Sequence, residues 1–250
     1  MKKRNFRFIL ILLAIFLIAG CGTKKNVEKD NEAKEKNKIS DPIPVDYQGV
    51  ETKQIRKPAK GDSIATIDTS MGKIEILLFE KECPKAVENF IQLAKEKYFE
   101  ELNFSSYTSV SIGIGKIGDK DYEVKTASNK NFDVEIDPDF GMLYGSLIIP
   151  RRINVSGEKG MNTGQFAIID KNFLADEEKQ ELEGMDINES LKDAFLKIGG
   201  NVRNQGKITV FGQVIKGMDT IEKMRAVELD SFGGPKKIIT INNVTVNKVE

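Results

Sequence analysis

The chain has 250 residues, with 38 basic and 38 acidic side chains, two cysteines (Cys21 and Cys83) and no histidine. Without histidine there is no imidazole general base, no Ser-His-Asp triad and no histidine-rich zinc site. The balanced charge lacks the clustered basic face that nucleic acid requires, so no nucleic-acid partner is expected.

Lys2, Lys3, Arg4 and Arg7 precede an unbroken apolar run from Phe8 to Ala19. A bilayer span needs roughly 20 apolar residues, so this shorter run is a signal peptide over residues 1–20 rather than a permanent anchor. It closes on Ile18-Ala19-Gly20-Cys21, which resembles the bacterial lipobox, in which the cysteine is acylated and becomes the new N-terminus. The alternative is an ordinary signal peptide with an incidental cysteine. Lipidation at Cys21 would place the protein on the extracytoplasmic face of the cell membrane, held there by lipid. Cleavage removes four basic residues and leaves 34 against 38 acidic ones, a mildly acidic chain. With Cys21 acylated, Cys83 has no disulfide partner and is expected to pack as a lone thiol. Residues 21–60 are rich in Lys, Glu, Asn and Asp, interrupted by Pro42 and Pro44. Such a composition predicts a flexible tether averaging ~35 Å in reach.

About 190 residues remain, from 61 to 250, enough for one well-buried domain. Ile64 to Thr69 and Lys73 to Phe79 are short β-rich runs joined by Ser70-Met71-Gly72, a hairpin pattern. Pro84 opens a helix that places Val87, Phe90, Ile91, Ala94 and Tyr98 on one stripe. Further β segments are expected at Leu147 to Ile149, Gln165 to Ile169 and Thr209 to Ile215, and a strand-rich stretch runs from Ile238 to Val249. A short helix follows Gly217, with Asp219 as its cap and Glu222 three residues on. Residues 170–203 form a polar, helix-favouring insertion, in which Asp176, Glu177, Glu178, Glu181 and Glu183 are expected to be a solvated helix face rather than a cation site. The pattern predicts a mainly β fold, a closed antiparallel barrel with two or three flanking helices and a helical insertion.

Four motifs in order resemble the cyclophilin-type peptidyl-prolyl isomerases. Ala65 to Ile74 matches the family's opening hairpin, and Pro84-Lys85-Ala86-Val87-Glu88-Asn89-Phe90 its first helix. Gln165-Phe166 stands where the family has Gln-Phe-Phe. Thr209-Val210-Phe211-Gly212-Gln213-Val214 through Gly217-Met218-Asp219 is close to its T-V-F-G-x-V-x-x-G-M-D signature. The resemblance implies binding of prolyl segments, here of exported or surface proteins, and catalysis of rotation about X-Pro bonds without a cofactor or metal. That rotation faces a barrier of ~20 kcal/mol from amide resonance. The family lowers it with an apolar clamp on the proline ring and an arginine that hydrogen-bonds the prolyl amide.

The family's F-H-R-V and F-M-I-Q-G blocks align with Phe104-Ser105-Ser106-Tyr107 and Ser111-Ile112-Gly113-Ile114-Gly115. Ser106 then occupies the catalytic arginine's position, Ser111 and Ala167 those of two clamp phenylalanines, and Ile114 that of the substrate-positioning glutamine. Ile208 replaces a histidine, and Asn204 a large apolar residue. Phe104, Ile112, Gln165 and Phe166 survive as candidates for the groove, with Arg151 beside them. Serine cannot imitate a five-donor guanidinium. The resemblance therefore implies a module that retains binding while its catalysis is weak or lost. The alternative is an active isomerase with a substitute cation from Arg151, Arg152 or Arg203.

Overall fold

Alternation sets the first strand: Ser63, Ala65, Ile67 and Thr69 are buried while the residues between them are half-exposed, the period-two pattern of a sheet with one face on a core. The computed structural model describes residues 47, 49–115, 126–128, 130, 132–150 and 163–250. Residues 1–20, expected to be a signal peptide, and Cys21, Arg151 and Arg152 lie outside the described residues. The strands are β1 (Ser63–Thr69), β2 (Gly72–Leu78), β3 (Asn103–Tyr107), β4 (Ser111–Gly115), β5 (Ser146–Ile148), β6 (Ala167–Ile169), β7 (Val210–Lys216) and β8 (Ile241–Lys248). The helices are α1 (Pro84–Lys95), α2 (Asp176–Glu183), α3 (Glu189–Ile198) and α4 (Met218–Arg225). All strand pairs are antiparallel, in the order β3-β4-β6-β5-β7-β2-β1-β8. The sheet curls until its edges meet just before β8, where Asn103 bridges Thr240 and the Phe104 N–H donates to the Ile239 carbonyl at 3.0 Å.

Inside the barrel the phenylalanines meet. Phe90 of α1 lies 5.0 Å from Phe99, 5.7 Å from Phe166 and 5.8 Å from Phe211, and Phe166 also meets Phe104 at 6.1 Å. Such tilted and edge-on contacts favour aromatic pairs beyond their buried area. Helix α1 is aimed at this cluster by its N-terminus. Pro84 occupies the first turn, and the Glu135 carboxylate accepts from the Lys85 and Ala86 N–H groups at 3.1 and 2.8 Å, satisfying donors that a helix start leaves open. Asn89, beside Phe90, accepts from the Ala127 N–H at 2.8 Å and so pins a loop to the helix. Tyr98, expected on the α1 stripe, falls instead in a separate single-turn helix, Tyr98–Glu101, after α1 stops at Lys95.

The helix at Gly217 starts differently from expectation. Gly217 is its cap, at φ +89°, and a Cβ there would strike the Lys73 carbonyl, so only glycine fits this approach of α4 to β2. Asp219 sits in the first turn, where its carboxylate pairs with Lys223 at 2.8 Å. In the insertion, Glu178 leaves the solvated face. It is buried, pairs with half-buried Lys171 and accepts from the Ala175 N–H at 2.9 Å. Burial pushes its carboxyl up, but Lys171 and the Ala175 N–H more than offset this and hold it below the usual glutamate range.

The described end of the stretch expected to be a tether is packed. Tyr47, Val50, Gln54 and Ile55 are buried against the barrel, so the end of the 21–60 stretch is a strap. Gln54 is fully buried, and its amide donates to the Gly141 carbonyl, Ser146 Oγ and Gln213 Oε1 at 3.0, 2.8 and 2.8 Å while accepting from the Gly141 N–H at 2.8 Å. Gln213, the variable position of the Phe-Gly-x-Val motif, donates in turn to Tyr47 Oη and to the Tyr144 carbonyl. Arg56 and Asp62 close the strap with a two-pronged ion pair. Gln54→Ala should therefore lower unfolding free energy by ~3 kcal/mol, because several buried partners lose their bonds at once. Urea denaturation checks this, and a loss below ~1 kcal/mol would mean that the strap lies outside the cooperative unit.

Candidate active site

Five strands carry one row of residues across the outer face of the barrel. Ser106 of β3 pairs with Gly113 of β4, Gly113 with Ala167 of β6, Ala167 with Ile148 of β5, and Ile148 with Val210 of β7. The packing confirms the shared face: a Cβ built on Gly113 would lie 3.1 Å from the Ala167 Cβ and 3.6 Å from the Ser106 Cβ. A β-bulge between Phe104 and Ser106 puts two steps of β3 against one of β4. It turns Ser106 out to solvent while Phe104 stays inside. Ser111, in register with Ile169, lies on the same face two residues along. Its hydroxyl is 2.9 Å from Thr108 Oγ1 within the β3–β4 turn.

The residues singled out in the sequence thus divide between two faces. Ser106, Ser111 and Ala167 share the outer face. Ile114 does not: it is 2 % exposed and packs in the barrel core. Phe104, Ile112 and Phe166, proposed as groove residues, are also in that core, at 0, 0 and 1 % exposure. Alternation along β4 and β6 is the reason, since the neighbours of an outward residue must point in. Gln165 precedes β6, half-buried, with its N–H donating to Thr163 Oγ1 at 3.3 Å. Arg203 pairs with Glu181 of α2, Nε to Oε1 at 3.3 Å, and so belongs to the insertion. Asn204 lies in the same single turn as Arg203. Ile208 lines a depression with Val210, at the end of the row.

One cation near the β3–β4 turn was not singled out in the sequence. Arg225, in the last turn of α4, grips Asp170 through Nε and Nη2, donates from Nη1 to the Thr108 carbonyl at 2.9 Å and stacks 5.4 Å from the Tyr107 ring. The Asp170 N–H also donates to the Val110 carbonyl at 3.1 Å. Asp170 neutralises the guanidinium, which clamps the turn. Burial pushes the Tyr107 phenol up to about 12 against the lowering pull of Arg225. A basic residue in a helix's last turn is common, so nothing in the sequence marks Arg225. Cys83 packs as expected: it is fully buried, with its thiol 3.3 Å from the Val210 carbonyl.

The fold defines an antiparallel barrel whose outer row has Ser106 exposed at one end and Ala167, Ile148 and Val210 buried in a second apolar cluster. Residues 64–246 match the model of the cyclophilin type peptidyl-prolyl cis-trans isomerase/CLD family, and the chain belongs to that family. It is 25% identical over 203 residues to a candidate peptidyl-prolyl cis-trans isomerase of Staphylococcus saprophyticus, covering 77% of this chain and 96% of that one. It is 29% identical over 188 residues to peptidyl-prolyl cis-trans isomerase-like 4 of Emericella nidulans, covering 72% of this chain and 36% of the relative. The chain thus spans about a third of the length of such fungal relatives (36% in both Aspergillus oryzae and Emericella nidulans). A crystal structure of a Cryptosporidium parvum cyclophilin type peptidyl-prolyl cis-trans isomerase superposes with a TM-score of 0.58 at 19% identity, over 76% of this chain and 99% of that one. This likeness establishes the shared fold.

The two faces respond differently to substitution. Ile114→Gln places an amide in the apolar core and should cost ~2 to 4 kcal/mol. Ser106→Arg, on an exposed position, should stay within ~0.5 kcal/mol of the parent. Thermal and urea unfolding of both variants tests the assignment, and equal costs would contradict it.

Proposed function

We propose that this chain is a lipid-anchored, extracytoplasmic cyclophilin-like module that binds prolyl segments of exported or surface proteins, with isomerase catalysis weak or lost. The observation that carries this reading is the in-register row Ser106–Gly113–Ala167. Rotation about an X-Pro bond needs no acid, base or nucleophile. It needs the proline ring held and the prolyl nitrogen's developing lone pair met by a fixed donor. A serine hydroxyl is shorter than a guanidinium, carries no charge and offers one donor. Ser111 and Ala167 supply a hydroxyl and a methyl group where a clamp would need rings. What the row retains is its register, with Ser106 exposed at one end and Ile148 and Val210 buried in a second apolar cluster at the other, an arrangement poor at favouring a twisted amide over a planar one. The lipobox-like Ile18-Ala19-Gly20-Cys21 supports the anchored, extracytoplasmic part of the reading.

Two measurements test it. Turnover of an X-Pro peptide, followed without a coupling protease, should be at least ~100-fold below that of an active family member, equivalent to ~2.7 kcal/mol of transition-state stabilisation. The assay suits the full chain in detergent, or a chain beginning at Asp41, which keeps the contacts of Tyr47 and Gln54. Near-normal turnover would sink the reading, and its loss in Arg151→Ala or Arg152→Ala would identify a substitute cation. In a cell that lipidates its exported proteins, the wild-type chain should take up labelled fatty acid and Cys21→Ser should not. A wild-type protein that takes up no label and is released to the medium would remove the anchor.

A further inference from the structure

Beyond Val210 the outer row runs on into a cleft. Ile208 and Val210 line a depression with Ile136, Asp137, Gln205 and Gly206. The last four of these also line a larger cleft of about 590 Å³, whose opposite wall is Met185 to Asn188, the connection between α2 and α3 of the insertion. Barrel loop and insertion therefore form a cleft that adjoins the depression at the buried end of the row.

The lining specifies a chemistry. Its floor is apolar: Ile136 is 44% exposed, and Met185 and Ile187 are half-buried. Its rim carries Asp137, Asp139 and Asp186, and no basic side chain is among the described lining residues. Lys53 of the strap approaches from outside, 2.7 Å from Asp137, 3.7 Å from Asp139 and 3.9 Å from Glu82. Lys53 is thus shared among three carboxylates. The resulting negative field reaches Cys83, whose thiol is pushed up to about 12 by burial first and then by Glu135, Glu82 and Asp137. The cleft is also preformed. Asn188 Nδ2 donates across it to Asp139 Oδ1 at 2.9 Å, while Asn188 Oδ1 caps α3 by accepting from the Leu191 N–H at 2.7 Å.

We propose that this cleft is a second docking subsite, which takes a lysine or arginine side chain of the polypeptide whose prolyl segment lies on the row. This rests on the binding-module reading above. The methylene stem of the basic side chain would cover Ile136, Met185 and Ile187 while its charge meets Asp139 and Asp186, the division that long cationic side chains favour. Four strand spacings of ~4.8 Å separate Ser106 from Val210, or ~19 Å, which an extended chain covers in about six residues. The cleft lies beyond Val210, so the selected segments are those with a basic residue at least about six positions from the proline. Electrostatic complementarity of this kind acts on specificity and weakens with salt.

The test measures fluorescence anisotropy of labelled peptides with the full chain in neutral detergent. The peptides carry Ala-Pro with Lys-Lys six residues away on either side, the same with Glu-Glu or Ser-Ser, and the Lys-Lys peptides with alanine replacing proline. The better-placed Lys-Lys peptide should bind at least ~10-fold tighter than its Glu-Glu counterpart at low salt, and the gap should narrow as screening rises. Asp186→Asn, on an exposed side chain, should reduce the preference. Asp139→Asn with Asp186→Asn should nearly abolish it, while the Ser-Ser peptide binds as before. Circular dichroism and melting establish that both variants fold. Equal binding of Lys-Lys and Glu-Glu peptides overturns the subsite, as does a preference that survives both substitutions or an absence of binding by every peptide. If the aspartate-dependent preference appears equally in peptides lacking proline, the subsite stands and the prolyl-binding reading falls. If proline-dependent binding occurs without charge preference, the reverse holds.

Discussion

Phe166 touches Phe90, Phe99 and Phe104 inside the barrel, and that cluster dictates which way every side chain of β6 points. With Phe166 inward, Ala167 must face out, and the register of β4 then brings Gly113 beside it and Ser106 beside Gly113. The core and the outer row are thus two sides of one constraint, the period-two geometry of a sheet. Slipping any of these strands by one residue would bury serine and expose phenylalanine. This explains how the barrel can keep a family core while its groove positions change. Ser106 is exposed, and its identity is nearly independent of what holds the fold.

The second constraint is polar. Gln54, Ser146, Gln213 and Tyr47 form a connected buried network, and Tyr47 also donates to the Val214 carbonyl. Buried amides are tolerable only when their donors and acceptors are met. No buried side-chain nitrogen or oxygen among the described residues lacks a partner. The strap supplies what the barrel lacks at this place: Gln54 satisfies the Gly141 backbone from outside the family-matched residues 64–246. The strap also delivers Lys53 to the carboxylates around the acidic cleft and so shapes the charge beside the proposed second subsite.

Charge placement separates the clamps from the surfaces left available to a partner. Arg225 is bound by Asp170, and Arg203 is paired with Glu181. Both guanidiniums serve architecture, one holding the β3–β4 turn and the other tying the end of the insertion to α2. The rim of the acidic cleft is different, because its carboxylates outnumber the lysine that reaches them. A surface built this way selects partners by charge more than it binds them tightly.

Local pattern accounts for much of the fold. Alternating apolar residues located β1 and β2, Pro84 and its apolar stripe located α1, and ordered family motifs identified the barrel and the substituted groove positions. The lipobox-like sequence at Cys21 is likewise a linear signal, legible without any fold. Other features depend on residues far apart in the chain. Tyr47 and Gln54 sit in a stretch of tether-like composition, and only their partners at Gly141, Ser146, Gln213 and Val214 reveal them as core. Ile114 stands at a substrate position by alignment, but alternation within β4 turns it inward. Glu135 caps a helix that begins 51 residues earlier, and Arg225 finds its carboxylate 55 residues back. One-dimensional periodicity encodes which face a residue prefers, whereas caps, buried hydrogen bonds and clefts require groups to converge in space. Only the closed sheet and its docked insertion create that convergence.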